Sequence, residues 1–266
     1  MGMIWKVASF NVNGIRARLS ITLDWLRSAQ PDVLCLQEIK CQEKDFPFDP
    51  FREAGYEVNL RGQKSFNGVA ILSKNRPEQL IGEFGDGGPE DEARLLAALV
   101  DGVWVVNTYV PQGRHPDDPA FEKKLGFLLR LKNWFEARFS PLQPIVWVGD
   151  INVAPEALDI FDPKRMEGQA GFHPAERQAL QAVRQWGFTD LFRRHHPQDR
   201  QFTFWDYRLP SSFKRNLGWR IDHIAATPPL RQACLECNVD CAPRCLDRPS
   251  DHTPVWAEFD LEKLPV

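Results

Sequence analysis

The sequence predicts an α/β fold built on mixed β-sheets, and three observations carry that prediction. Apolar, β-branched runs alternate with segments of helical periodicity from end to end. Two of the runs are joined by Asp101-Gly102, a strong hairpin signal, so at least one strand pair is antiparallel. The polar signatures gather at the ends of apolar runs, where α/β folds build sites on a rigid scaffold. A chain of 266 residues with neither a repeat of fixed period nor a low-complexity linker reads as one domain, residues 1–266.

Ile4 to Val12 is the first strand and runs into Asn11-Val12-Asn13-Gly14, where two carboxamides stand two apart beside a glycine. Leu19, Leu23 and Leu26 recur at helical spacing until Pro31 stops the helix. Asp32 to Gln37 is the next strand; it ends on Glu38, with Lys40 two places on, and Glu38 taken alone reads first as a solvated strand-end charge. Gly68 to Ser73 is a buried strand, and Asp86 to Glu92 an acidic, glycine-rich surface loop. The hairpin strands are Leu95 to Val100 and Val103 to Tyr109. Asn107 and Tyr109 share a face of the second, although capping a core is the common role for such a tyrosine. After the turn at Pro116 to Pro119, Phe121, Leu125, Leu128, Phe135 and Phe139 mark an amphipathic helix, with Glu122, Lys123, Lys124 and Lys132 on the opposite face.

Ile145 to Val153, set between Pro144 and Pro155, carries a short, β-branched apolar run that is too short for a buried helix and reads as a buried strand. It ends in chemistry: Gly149 lets the backbone pass tightly, and Asp150 and Asn152, two apart, share one face at the strand's lip. A buried acid there needs a metal, a donor or water. Gly-Asp and Asp-x-Asn are also common turn punctuation, so this stretch alone leaves a plain loop open. Pro174 begins another helix, with Ala179, Leu180, Val183 and Trp186 inward and Gly187 at its end. From Arg200 to Asp222 the aromatics Phe202, Phe204, Trp205, Tyr207, Phe213 and Trp219 interleave with basic residues. That texture suits a surface that stacks on bases and grips phosphates, and equally an aromatic core with a basic rim. Trp219 to Ala226 is a strand with Asp222 mid-run, on which Trp219 and Ile221 are expected to point the same way as the acid. Ser250-Asp251-His252 precedes the last strand, Val255 to Phe259.

Hydrophobic residues at 43% and charged residues at 26% describe an ordinary globular chain, with no apolar run long enough to span a bilayer. The segment from Met1 to Lys6 has no signal-peptide pattern, so the cytoplasm is the expected compartment. A net charge of −3 argues against nucleic-acid binding by bulk charge, while a local basic face stays open. Cys234, Cys237, Cys241 and Cys245 crowd into twelve positions without the spacing of a paired zinc knuckle. Reduced thiols on a strand are the favoured account and a structural metal the alternative.

Asn11, Asn13, Glu38, Asn107, Tyr109, Asp150, Asn152, Asp222, Asp251 and His252 form an ordered constellation. Hard oxygen donors without a thiolate–histidine cluster point to Mg²⁺, with Mn²⁺ as a substitute, rather than to zinc. One histidine beside acids, with no serine or cysteine in a nucleophile elbow, points to metal-assisted attack by water.

With these residues in view, the sequence closely resembles the exonuclease III type of abasic-site DNA endonuclease, within the wider endonuclease/exonuclease/phosphatase superfamily. The resemblance rests on Ser9-Phe10-Asn11-Val12-Asn13-Gly14, Leu36-Gln37-Glu38-Ile39-Lys40, Asn107-Thr108-Tyr109-Val110-Pro111, Gly149-Asp150-Ile151-Asn152, Phe204-Trp205-Asp206-Tyr207, Trp219-Arg220-Ile221-Asp222 and Ser250-Asp251-His252. It implies a four-layer α/β sandwich, two mixed sheets packed face to face with helices outside. It implies Glu38 as the main metal ligand, assisted by Asn13 and Asp251. Asp150 would orient or deprotonate the attacking water with Asn152 steadying it, and His252 paired with Asp222 would hold a proton. Tyr109 and Asn11 would position the scissile phosphate, with Asn107 also on the substrate side. Lys40 and Arg114 would contact the DNA backbone. Phe204, Trp219 and Ile221 would accept a flipped, base-free sugar. Some relatives carry Asp in place of Asn13, and others Asn in place of Gln112.

The implied activity is a Mg²⁺-dependent DNA repair phosphodiesterase that cuts 5′ to abasic sites and processes 3′ ends, acting as a monomer on double-stranded DNA with abasic sites or blocked 3′ ends. The competing expectations are a 3′-end-processing exonuclease or phosphatase with weak abasic cleavage, a phosphodiesterase for other substrates, and a relative that only binds DNA. No exposed amphipathic segment suggests a membrane partner.

Overall fold

Strands that are apolar on both faces need a cover on each side, and this chain supplies it by stacking two sheets on one another and helices on their outer faces. The computed structural model describes residues 4–90 and 92–264. Met1, Gly2 and Met3 of the opening segment and Asp91 of the acidic loop lie outside the described residues.

In chain order the elements are β1 (Ile4–Asn11), α1 (Leu19–Ala29), β2 (Val33–Gln37), α2 (Phe48–Glu53), β3 (Glu57–Arg61), β4 (Val69–Ser73), β5 (Gln79–Ile81), β6 (Leu95–Val100) and β7 (Val103–Tyr109). There follow α3 (Pro119–Arg138), β8 (Ile145–Asp150), α4 (Pro163–Met166), α5 (Pro174–Gln185), β9 (Thr189–Asp190), α6 (Leu191–His195), β10 (Asp222–Ala226), α7 (Pro228–Ala233), β11 (Cys234–Val239) and β12 (Val255–Asp260). One six-stranded sheet has the order β11-β12-β1-β2-β4-β3 and the other β5-β6-β7-β8-β10-β9. Each has one parallel pair near its centre, β1 with β2 and β7 with β8, flanked by antiparallel neighbours. The expected hairpin is present, and Asp101 at φ 53° and Gly102 at φ 75° adopt the left-handed backbone that a two-residue hairpin turn demands.

Side-chain alternation sorts the residues into layers. Val7, Val33, Val69 and Ile71 of the first sheet meet Leu96, Val105, Val146, Val148 and Ile224 of the second in the central core. Each such fully buried aliphatic side chain contributes about 1.5–3 kcal/mol. The opposite faces pack outward: Ala8, Phe10, Leu34 and Leu36 against Leu23, Trp25 and Leu26 of α1, and Ile145 and Trp147 against Phe127, Leu131 and Phe135 of α3 with Leu180 and Val183 of α5. Helix, sheet, sheet and helix make the four layers that the resemblance implies.

The structure departs from expectation in two places. Lys124 is fully buried rather than on the solvent face of α3, because it is paired with Glu176 of α5. β10 begins at Asp222 rather than at Trp219; the preceding residues leave the sheet, Trp219 bridging to Phe204 and Ile160 instead. As the favoured account has it, Cys234 and Cys237 lie on a strand, β11, as buried free cysteines; Cys241, half-buried, and Cys245, exposed, follow it. No described helix is long and apolar enough to cross a membrane.

Candidate active site

The site forms where the parallel pairs of both sheets end. Along β8, Val146 and Val148 face the central core, so alternation aims Asp150 the same way at the strand's lip. The same parity directs Asn11 of β1, Tyr109 of β7 and Asp222 of β10 into the space between the sheets. Register completes the row, since Tyr109 and Asp222 flank Asp150 on the two neighbouring strands. Gly149 is required by backbone proximity: at φ +138°, a Cβ there would lie 1.9 Å from the Thr108 carbonyl oxygen.

Asn11 ties the two sheets together chemically. Its Nδ2 donates to Asp150 Oδ2 at 2.8 Å and to Glu38 Oε1 at 2.9 Å. Asp150 Oδ1 accepts the Asn152 backbone N–H at 2.9 Å, and Asn152 Nδ2 donates to the Val110 carbonyl at 2.9 Å. His252 Nδ1 lies 2.8 Å from Asp222 Oδ2, and its Nε2 faces Asp150 Oδ2 at 3.7 Å. The strand-leading loop Ser250-Asp251-His252 is held by Ser250 Oγ, which donates to the Asn11 carbonyl at 2.7 Å.

Glu38 Oε2 pairs with Lys40 Nζ at 2.7 Å, and the same ammonium donates to Asn13 Oδ1. Asn13 Nδ2 in turn donates to Asp251 Oδ1 at 2.9 Å. Ligand atoms of Glu38, Asp150 and His252 all lie within 4.8 Å of one another. Asn13, Glu38, Lys40 and Asn152 sit at φ between 45° and 55°, a left-handed backbone that costs non-glycine residues about 1–3 kcal/mol each and collects at functional sites.

The electrostatics follow from burial among charges. Burial pushes Asp150 up, with Asp222 and Glu38 adding to it, to about 8. For His252, burial acts downward, but Asp222 and Asp150 outweigh it and hold the imidazole at about 10. Glu38 is the reverse case: burial would raise it, and Lys40 keeps it below its ordinary value. Burial, with Glu38 and Asp150 beside it, raises the Tyr109 phenol well above its ordinary value. Because Asp222 is the largest influence raising His252, Asp222→Asn is expected to lower the imidazole pKa. The protonated form is then lost at lower pH, and the alkaline limb of the pH–rate profile moves down. An NMR titration giving the same His252 pKa in both proteins would rule the pairing out.

Two adjoining clefts open here. One, of about 330 Å³, is lined by Asn13, Glu38, Lys40, Tyr109, Asp150 and His252, among others. The other, of about 530 Å³, is lined by Arg114, Phe161, Met166, Gly171, Trp219 and Ile221, and the two share Gln112, Asn152, Phe204, Asp206 and Arg208. The Phe204 ring lies 4.8 Å from the His252 ring, so the apolar cleft begins where the polar one ends. Arg114 is largely exposed on its rim, 3.9 Å from Asp118.

Most of the constellation therefore converges, with two corrections. Asn107 is fully buried away from both clefts: it accepts from Gln37 Nε2 at 2.7 Å and donates to the Leu36 and Ala70 carbonyls, pinning the second sheet to the backbone of the first. Trp219 and Ile221 do not point with Asp222. Both precede β10, where the chain has left the sheet, and they face the apolar cleft while the acid meets His252. The aromatic–basic stretch divides between its two readings: Phe202, Trp205 and the ion-paired Arg220 are buried, whereas Phe204, Tyr207, Arg208 and Trp219 line clefts or lie exposed. Sequence reasoning missed Arg94, whose guanidinium stacks 4.7 Å over the Tyr109 ring, and Asp206, which holds Arg208 in the cleft. Asp206 lay within the Phe204-Trp205-Asp206-Tyr207 motif; nothing local marked Arg94.

A model of the Endonuclease/Exonuclease/phosphatase family matches residues 8–252. Exodeoxyribonuclease III of Haemophilus influenzae is 35% identical, over 96% of this chain and 99% of that protein. Among solved structures, an AP endonuclease from Archaeoglobus fulgidus superposes with a TM-score of 0.93 at 42% identity, over 96% of this chain and 99% of the other. The 3′ phosphatase NExo from Neisseria, bound to a product DNA hairpin, gives 0.92 at 35% identity with the same coverage.

Proposed function

The chain belongs to the endonuclease/exonuclease/phosphatase family, and from that premise we propose that it is a Mg²⁺-dependent DNA repair nuclease that cuts the backbone 5′ to abasic sites and also processes 3′ ends. The observation that carries this reading is the apolar cleft of Phe204, Trp219 and Ile221 opening directly beside the Asp150–His252–Asp222 cluster. A base-free sugar fits such a cleft, whereas an intact base meets Trp219 and Phe204, so selection works by exclusion.

The donors suit a hard divalent cation, because Glu38 and Asn13 already hold a positive group, the Lys40 ammonium, between their oxygens. Glu38 would be the main ligand, with Asn13 and Asp251 beside it, and Mn²⁺ is the expected substitute. A cation held there would supply Lewis acidity toward the phosphate and favour ionised water. Asp150 Oδ2 takes the proton of the attacking water, and Asn152 and Asn11 hold the carboxylate in place for it. His252, kept protonated by Asp222, presents Nε2 to the charge developing on phosphate oxygen, and Tyr109 and Asn11 position that phosphate. Lys40 and Arg114 grip the DNA backbone. The protein acts as a monomer of one domain in the cytoplasm, on duplex DNA with abasic sites or blocked 3′ ends.

The competing reading is a 3′-end processor with weak abasic cleavage, which the likeness to a 3′ phosphatase supports. Duplexes bearing an abasic site, a 3′-phosphate or a recessed 3′ end, compared with and without Mg²⁺, separate the two. Trp219→Ala is expected to cut abasic cleavage about tenfold or more relative to 3′-phosphate removal, which needs only the metal and phosphate ligands. A ratio of kcat/KM values unchanged within about twofold, under about 0.5 kcal/mol, would make Trp219 mere packing.

A further inference from the structure

The buried Lys124–Glu176 pair has none of the roles assigned above, yet three of the four backbone groups it holds line the cleft. Both side chains are fully buried. Lys124 Nζ donates to Glu176 Oε1, to the Asn152 carbonyl at 2.7 Å and to the Gln112 carbonyl at 3.3 Å. Glu176 Oε2 accepts the Gly171 N–H at 2.7 Å and the His173 N–H at 3.1 Å. Gln112, Asn152 and Gly171 all line the apolar cleft, and they come from three different loops, after β7, after β8 and before α5. The Gly171 backbone rests on the indole itself: a Cβ added there, at φ +90°, would stand 2.9 Å from Trp219 Cζ3.

A buried ion pair is a poor stabiliser, because desolvation offsets its attraction, and an apolar pair of similar volume would serve α3 and α5 as well. What an apolar pair cannot do is bond two carbonyls and two amides from separate loops at once. We propose that Lys124 and Glu176 are a positioning pair that sets the width of the Trp219 cleft and hence its preference for a base-free sugar; the last clause rests on the function proposed above.

The test is the apolar double variant Lys124→Met/Glu176→Leu, which removes every bond the pair makes to the loops, with Lys124→Met/Glu176→Gln as the second variant should the first fail to fold. Three quantities are read: the melting temperature, the ratio of kcat/KM for abasic cleavage to that for 3′-phosphate removal, and hydrogen exchange at the Gly171 amide. The ratio is insensitive to a lost fraction of folded enzyme. We expect the melting temperature to fall by about 5–15 °C, since the neutral replacement relieves a desolvated pair but leaves buried carbonyls and amides without partners. The ratio should fall about tenfold or more, as misplacement by about an ångström costs, and Gly171 should exchange faster. For Lys124→Met/Glu176→Gln the fall should be about threefold or more, because the Asn152 and Gln112 carbonyls lose their donor while the carboxamide oxygen still accepts the two amides. A folded variant with the ratio unchanged within about twofold overturns the proposal, including the case in which both activities drop together. If wild type cuts no abasic duplex, the proposed function fails; exchange in Lys124→Met/Glu176→Leu then decides the cleft role, wild-type protection at Gly171 overturning it and faster exchange supporting it.

Discussion

Replacing Asp150 with asparagine is expected to lower kcat by about 10²-fold or more while DNA affinity survives. The substitution keeps the shape and removes the base. It also halves the accepting capacity of the side chain. Asp150 now accepts at both oxygens, from Asn152 N–H and from Asn11 Nδ2, and a carboxamide offers one acceptor for those two donors. Asn11 cannot turn over to compensate, because its Oδ1 accepts the Asn13 N–H at 3.0 Å and its Nδ2 also serves Glu38. The loss of the base and the disturbance of Glu38 therefore act in the same direction, on the chemical step. Single-turnover cleavage and equilibrium binding, measured on the same abasic duplex, check this. Lost binding with a spared kcat would reduce Asp150 to a structural strand-end residue.

Chelation should abolish cleavage outright, and Glu38→Ala should raise the Mg²⁺ concentration for half-maximal rate by about tenfold or more, since even outer partners of a metal contribute that much. Glu38 is ionised and ready for a cation because Lys40 outweighs the burial that would protonate it. Removing it leaves Lys40 with Asn13 alone, so the variant loses both the carboxylate and the arrangement that orients its neighbour. Rate against Mg²⁺ concentration, with and without EDTA, is the measurement. Undiminished activity in EDTA would sink a metal-assisted mechanism altogether.

The elements with a strong local signal were legible without coordinates. The Asp101-Gly102 hairpin, the buried run Ile145 to Val148 and the strand before Glu38 appear within a residue or two of their expected limits. Each carries its own physics in neighbouring residues: a turn that needs left-handed backbone, or a β-branched run bounded by breakers. Short edge strands such as Glu57–Arg61 and Gln79–Ile81 were not legible, because their pairing comes from the neighbour strand rather than from their own pattern.

The sequence by itself determined which side chains were chemically equipped for catalysis: paired carboxamides, carboxylates and one histidine at strand ends, all visible as types and spacings. Tertiary structure decided which of them meet. Asn107 and Tyr109 share a face, yet only the residue at the strand's end reaches the cleft, while the deeper one must satisfy buried carbonyls of the other sheet. Lys124 belongs by periodicity to a solvated face, and only the packing of α5 against α3, with an acid at Glu176, turns it into a buried cation. Local pattern fixes a side chain's direction relative to its own strand or helix. What stands opposite is set by elements distant in the chain, and burial, hydrogen bonding and charge are all properties of that opposing surface.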